Sequence, residues 1–175
     1  YIRLKPVFMH SLVPVEYDKF APVIVREMVE ASSEIGVGPM ATVAGAIAEF
    51  VGRDIDKLSD EYIIENGGDV YLKTQKERVL MVYAKDSPFS KRIGIKIPPD
   101  EEPYGVCTSS GTVGHSLSFG RADAVCVVGK SSLFMDGLAT YICNVVKQKN
   151  DIPLAIEKGR IFKGVKGILI IVGEH

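Results

Sequence analysis

The stretch Tyr62-Ile63-Ile64-Glu65-Asn66-Gly67-Gly68-Asp69-Val70-Tyr71-Leu72 places two short apolar runs on either side of a glycine pair. Paired glycines supply the positive φ angles of a tight hairpin turn, so Tyr62–Glu65 and Asp69–Leu72 are predicted to be two strands joined by that turn. Further strand-length runs follow at Val79–Ala84, Ile93–Ile97, Tyr104–Thr108, Ala124–Val128 and Val165–Val172. Between them, residues 98–103 combine three prolines with Asp100, Glu101 and Glu102, which predicts an exposed acidic loop. Strands that come in runs, with helices grouped rather than alternating, indicate an α+β fold. The expectation is a single domain over residues 1–175, with helices packed on a mixed or antiparallel sheet.

The helices flank these strands. Val7–Val15 is expected to form a strand and a turn. Ala21-Pro22 suits a helix start, Val23, Ile24, Met28 and Ala31 follow a helical stripe, and Gly36 suits the stop. Gly38-Pro39 opens a second helix, in which Met40, Val43, Ala44, Ile47, Ala48 and Val51 form one apolar stripe. That stripe is the expected buried face, and Gly52 the expected end. Ala41, Gly45 and Ala46 make the other side small enough for close approach. Ser131 or Ser132 can cap a third helix running to about Val146, and a short helix is expected over Pro153–Glu157.

Composition narrows the function classes. The 175 residues are 46% hydrophobic and 25% charged, with a formal net charge of -1. A nucleic-acid binder normally carries a basic surplus, so that class is disfavoured. No apolar run approaches the roughly 20 residues of a membrane-spanning helix. The three cysteines, Cys107, Cys126 and Cys143, fit no zinc spacing and are expected to be reduced thiols of a cytoplasmic protein. The chain begins at Tyr1 rather than Met, which leaves room for a preceding segment.

Four segments could carry chemistry. Gly38 and Met40 lie where the second helix opens, and helix N-termini offer free N–H groups to phosphates; a simple helix start is the plainer reading. Asn66, Gly67, Gly68 and Asp69 put an amide and a carboxylate beside a turn, which is equally what an ordinary polar hairpin looks like. Thr108, Ser109, Ser110 and Gly111 precede His115 in a segment rich in hydroxyls, suited to phosphate or hydroxyl-bearing ligands. His115 could donate a hydrogen bond, act as a base or satisfy a loop carbonyl. No G-x-S-x-G nucleophile elbow accompanies it. Asp136 and Thr140 stand four residues apart, so a helix places both oxygens on one face, a donor set that suits Mg²⁺ better than zinc. Asp136 could instead complement a helix dipole.

In this order the segments resemble the ApbE family, the FAD:protein FMN transferases. Members carry a glycine-opened helix, a Gly-Gly-Asp turn, a Thr-Ser-Gly segment followed by His, and an Ala-Asp-Ala-Leu-Ala-Thr helix. The counterparts here are Gly38–Glu49, Asn66–Val70, Thr108–His115 and Met135–Thr140. Glu65–Val70 and Gly105–Asp123 also resemble a largely prokaryotic family of uncharacterised activity in the same superfamily. The resemblance implies Mg²⁺ bound by Asp136 and Thr140, and FAD or FMN beside Gly67, Gly68, Asp69 and Thr108–Gly111. It places His115 near the transferred phosphoryl group and makes a threonine of a target protein the acceptor.

Two departures qualify the resemblance. The family's Lys-Gly-Tyr-Ala-Val-Asp is replaced by Gly38-Pro39-Met40-Ala41-Thr42-Val43, and the carboxylate three residues after the histidine is replaced by Ser118. Three readings therefore stand: a Mg²⁺-dependent enzyme acting on a flavin or another pyrophosphate-bearing nucleotide, a non-catalytic flavin or small-ligand module, or a homo-oligomeric domain whose glycines serve packing only.

Overall fold

Gly67 and Gly68 adopt φ of +65° and +101°, the left-handed values that a two-residue hairpin turn demands. They join β1 (Tyr62–Asn66) to β2 (Asp69–Thr74), with Asn66 opposite Asp69. The computed structural model describes residues 1–112 and 118–175. After β2 come β3 (Arg78–Met81), β4 (Gly94–Ile97), β5 (Asp100–Ser109), β6 (Ala124–Gly129) and β7 (Gly167–Ile171). The main sheet has the order β1-β2-β5-β6-β7, and every neighbouring pair is antiparallel. β3 and β4 pair only with each other. The helices are α1 (Pro6–His10), α2 (Val23–Ile35), α3 (Val43–Ile55), α4 (Ser132–Val145) and α5 (Ile152–Arg160). The α+β reading holds, with a purely antiparallel sheet.

Alternation along β5 and β6 sorts the core into two layers. Cys107, Val125 and Val127 face α4 and pack with Leu138, Ile142 and Cys143. Leu72, Val106 and Val128 face the opposite way and pack against Leu80, Ile95 and Ile97 of the β3–β4 hairpin. α4 is the central helix: ten of its fourteen residues are buried, and it contacts α2, α3, α5, β5 and β6.

Several local expectations are corrected. Residues 6–10 form a helix rather than a strand, because Pro6 suits a first helical position and Phe8 is drawn into a cluster with Ala21, Val25 and Met28. The acidic segment is not a loop from end to end. β5 already begins at Asp100, whose carboxylate lies 3.3 Å from the Lys166 ammonium and 3.6 Å from that of Lys130. Pro39–Thr42 is a 3₁₀ turn ahead of α3, and α3 runs past Gly52 to Ile55. A Cβ on Gly52 would lie 2.2 Å from the Tyr71 ring, so this glycine permits close packing and does not stop the helix.

The buried face of α3 is the main revision. Ile47 and Val51 are 45% and 44% exposed, whereas Gly45, Ala46, Ala48, Glu49 and Gly52 are buried. The helix turns its small residues inward because α4 crosses directly against them. A Cβ on Gly45 would stand 2.2 Å from the Ser132 carbonyl oxygen. No single helix among the described residues is long and apolar enough to cross a membrane; α2 reaches that length only together with residues 39–55, and the two segments meet at 105°.

Candidate functional site

α3 and α4 cap each other. Gly45 N–H, in the first turn of α3, donates to Asp136 Oδ2 on α4 at 2.9 Å, and Ala44 N–H also bonds to that carboxyl group. In return, Leu133 N–H in the first turn of α4 donates to Glu49 Oε2 on α3 at 3.0 Å, and Ser131 Oγ donates to the same oxygen at 2.7 Å. Ser132 Oγ closes the exchange on the Gly45 carbonyl at 2.7 Å. The first N–H groups of a helix have no partner within it, so each carboxylate satisfies donors that the other helix leaves over. Arg53 Nη2 holds the second Glu49 oxygen at 2.5 Å.

A second buried carboxylate faces this crossing. Asp69 begins β2, and its Oδ1 accepts Thr108 N–H at 3.1 Å. Beside it Asn66 Nδ2 donates to the Ala44 carbonyl at 3.2 Å, tying the hairpin turn to the start of α3. Burial pushes the Asp69 carboxyl up to about 7, against the pull of Thr108 N–H. Asp136 is also raised well above the usual carboxylate range, first by burial and then by the charge of Asp69. The Cys107 thiol, raised by burial and by both carboxylates, donates to the Ser132 carbonyl at 3.1 Å. Two like charges with little water between them favour either a proton or a cation in their neighbourhood.

The predicted site residues divide between two cavities rather than sharing one. Gly38, Met40, Asp136 and Thr140 line a cavity of about 290 Å³ on the helix side of the sheet, together with His10 and Asn144. Thr140 is only 6% exposed. Gly67, Gly68, Thr108, Ser109 and Ser110 line a cavity of about 420 Å³, whose apolar wall comes from β3 and the hairpin-facing residues of the sheet. Asn66 and Asp69 line neither and are bonded as described above. Gly111 packs against Gly120, whose carbonyl oxygen would stand 2.1 Å from an added Cβ. His115 lies outside the described residues.

Two residues of this region escape a reading of the sequence alone. Glu49 is the only charged side chain between Gly38 and Val51, which is a visible signal. Its purpose depends on an α4 terminus that is distant in sequence. His10 lines the 290 Å³ cavity because α1 folds back over Gly38, where an added Cβ would lie 2.0 Å from the Ser11 carbonyl oxygen. Nothing local to residues 6–12 announces that contact.

Among the described residues, no group of three or more His, Cys, Asp and Glu side chains could cage a metal. The donors that remain are the oxygens of Asp136 and Thr140, one helical turn apart on α4 and in the same cavity. A short oxygen-only set fits Mg²⁺, which keeps several waters or substrate oxygens in its shell, and does not fit zinc.

Known proteins resemble the chain in both sequence and structure. A family model described as AbpE bacteria matches residues 1–158. A UPF0280 protein of Methanococcus aeolicus is 44% identical over 99% of this chain and 72% of its own length. A UPF0280 protein of Methanocaldococcus jannaschii is 42% identical with the same coverage. Among solved structures, the apo flavinyl transferase ApbE of Pseudomonas stutzeri superposes with a TM-score of 0.56 at 19% identity, over 80% of this chain. This chain spans 47% of that protein's length. Flavin transferase ApbE of Vibrio cholerae gives a TM-score of 0.51 at 16% identity, over 97% of this chain and 72% of its own. Likeness at such identity is likeness of fold.

Proposed function

The chain belongs to the AbpE bacteria family, and from that premise we propose that it is a Mg²⁺-dependent enzyme acting on FAD or another pyrophosphate-bearing nucleotide. The observation that carries this reading is the pair Asp136 and Thr140: a carboxylate and a hydroxyl one turn apart on α4, both buried and lining the same cavity. Asp136 and Thr140 would hold Mg²⁺ with water and phosphate oxygens completing the shell. The ion would supply charge stabilisation at the pyrophosphate as a bond to phosphorus breaks. The named flavin transferases of the same fold support a flavin as the nucleotide. Three free, buried cysteines accord with a reducing compartment such as the cytoplasm.

A second reading has its own observation. Asp136 already serves the first N–H groups of α3, so it has a structural task whether or not a metal binds. On that reading the domain binds a flavin or another small ligand without catalysis.

Calorimetric titration of FAD, FMN and ADP, each with and without Mg²⁺, separates the two. The enzyme reading expects Mg²⁺ to tighten FAD and ADP, and the nucleotide to tighten Mg²⁺ by the same factor. Thr140→Val keeps the shape of the side chain and removes one oxygen, so the fold should survive while that coupling is lost. Asp136→Asn is a poorer probe, because it also disturbs the α3 terminus. Binding that ignores Mg²⁺ in both the wild type and Thr140→Val would favour the non-catalytic module.

A further inference from the structure

We infer that His10 is a ligand-binding residue of the Asp136–Thr140 cavity and donates an imidazole N–H to a phosphate oxygen of the bound nucleotide. The inference rests on the nucleotide reading above and adds a residue that this reading does not use. The cavity lining contains two ionisable side chains, Asp136 and His10. An ionised carboxylate only accepts hydrogen bonds, so a phosphate there needs donors from elsewhere in the wall. Imidazole offers at least one N–H in any protonation state.

The segment that carries His10 is held in place independently of any ligand. Ser11 N–H donates to the Val7 carbonyl at 2.9 Å, and Ser11 Oγ donates to the Val13 carbonyl at 2.7 Å. Gly38 lets this turn sit directly on the cavity wall, since a side chain there would meet the Ser11 carbonyl. Ser11 is thereby engaged, while Asn144, whose Oδ1 accepts from Phe119 N–H at 2.8 Å and Ser118 Oγ at 3.2 Å, keeps its Nδ2 as a second donor beside His10. His10 is exposed, so its ring is accessible to a ligand. A fixed backbone and an accessible ring suit a ligand contact.

The test uses the 175-residue chain, ADP as the probe and Mg²⁺ present throughout. His10→Ala should weaken ADP about tenfold or more, the scale of a hydrogen bond to a charged oxygen, and His10→Gln should recover part of that loss through its amide donor. The imidazole resonances, assigned by loss of the His10 signal in His10→Ala, should shift for His10 on adding ADP and stay fixed for His175. If wild type binds ADP while His10→Ala binds equally well and the His10 resonance does not move, the inference falls and the nucleotide reading stands. If wild type does not bind ADP and no imidazole resonance moves, both fall together.

Discussion

The two faces of the central sheet are buried by different means. The hairpin side is closed mainly by apolar side chains: Leu72, Ile97, Tyr104, Val106 and Val128, with Val70, Leu80 and Ile95 around them. The helix side contains an apolar cluster too, but where α3 crosses α4 it also buries Glu49, Asp69, Ser132, Asp136 and Thr140. One face is held by area removed from water, the other partly by carboxylates placed at helix termini. Apolar burial is indifferent to pH and to small ions, whereas buried carboxylates respond to both. The responsive chemistry therefore belongs on the helix side, and the comparison can be broken by measuring each face separately.

The largest effect is expected on the hairpin side. Leu72 is fully buried beneath the β3–β4 pair. Leu72→Ala should cost about 2–5 kcal/mol in denaturant unfolding, the range for a large side chain removed from a core that does not collapse. The loss should be the same at pH 5 and pH 7. A loss under about 1 kcal/mol would mean that the hairpin does not seal this face, and a pH-dependent loss would mean that the two faces are not separate.

The second effect belongs to the helix side. Asp69 titrates near 7 in the folded chain because burial disfavours its charge. A carboxyl raised above its unfolded value binds more protons when folded, so its contribution is fully present below about 4. That contribution is lost as pH rises through about 7. The metal-free protein should therefore lose stability across this window, by up to roughly 1.4 kcal/mol for each pH unit crossed. Asp69→Asn retains an acceptor for Thr108 N–H and cannot titrate, so the decline should be shallower. Denaturant midpoints at half-unit pH steps would show it. Equal slopes in the two proteins would show that Asp69 does not carry the effect.

The same division governs how much of the molecule was legible in the sequence. Gly67-Gly68 and the apolar runs beside it specify β1 and β2 through local turn geometry, and α2 ends where Gly36 takes φ of +88°. The four motif segments were visible as well, and so was the pairing of Asp136 with Thr140 on one face of α4. The reciprocal capping was not visible, because Glu49 and Leu133 are 84 residues apart and only the fold brings a carboxylate to a distant helix terminus. The same limit hid the two-cavity arrangement: only the fold sets Thr108–Ser110 and Asp136 in different cavities.

The smallest expected effect tests how α3 is oriented. Its sequence carries two stripes, a large one through Ile47 and Val51 and a small one through Gly45, Ala48 and Gly52. Hydrophobicity alone favours burying the large stripe, which would remove more apolar area from water. Steric fit decides otherwise. The Gly45 backbone has to approach Ser132 closely enough for the Ser132 hydroxyl to reach the Gly45 carbonyl at 2.7 Å, and for Asp136 to reach Gly45 N–H at 2.9 Å. Large residues at that crossing would part the helices and leave four or more buried polar groups without partners, each costing about 1–3 kcal/mol. That outweighs the transfer gain of one half-exposed isoleucine. Ile47→Ala should therefore change stability by less than about 1 kcal/mol, because the side chain is already 45% exposed. Gly45→Ala in the same background should cost several times more despite adding a single methyl group. If Ile47→Ala instead costs as much as Leu72→Ala, the large stripe is the buried one and the reciprocal caps between α3 and α4 cannot form.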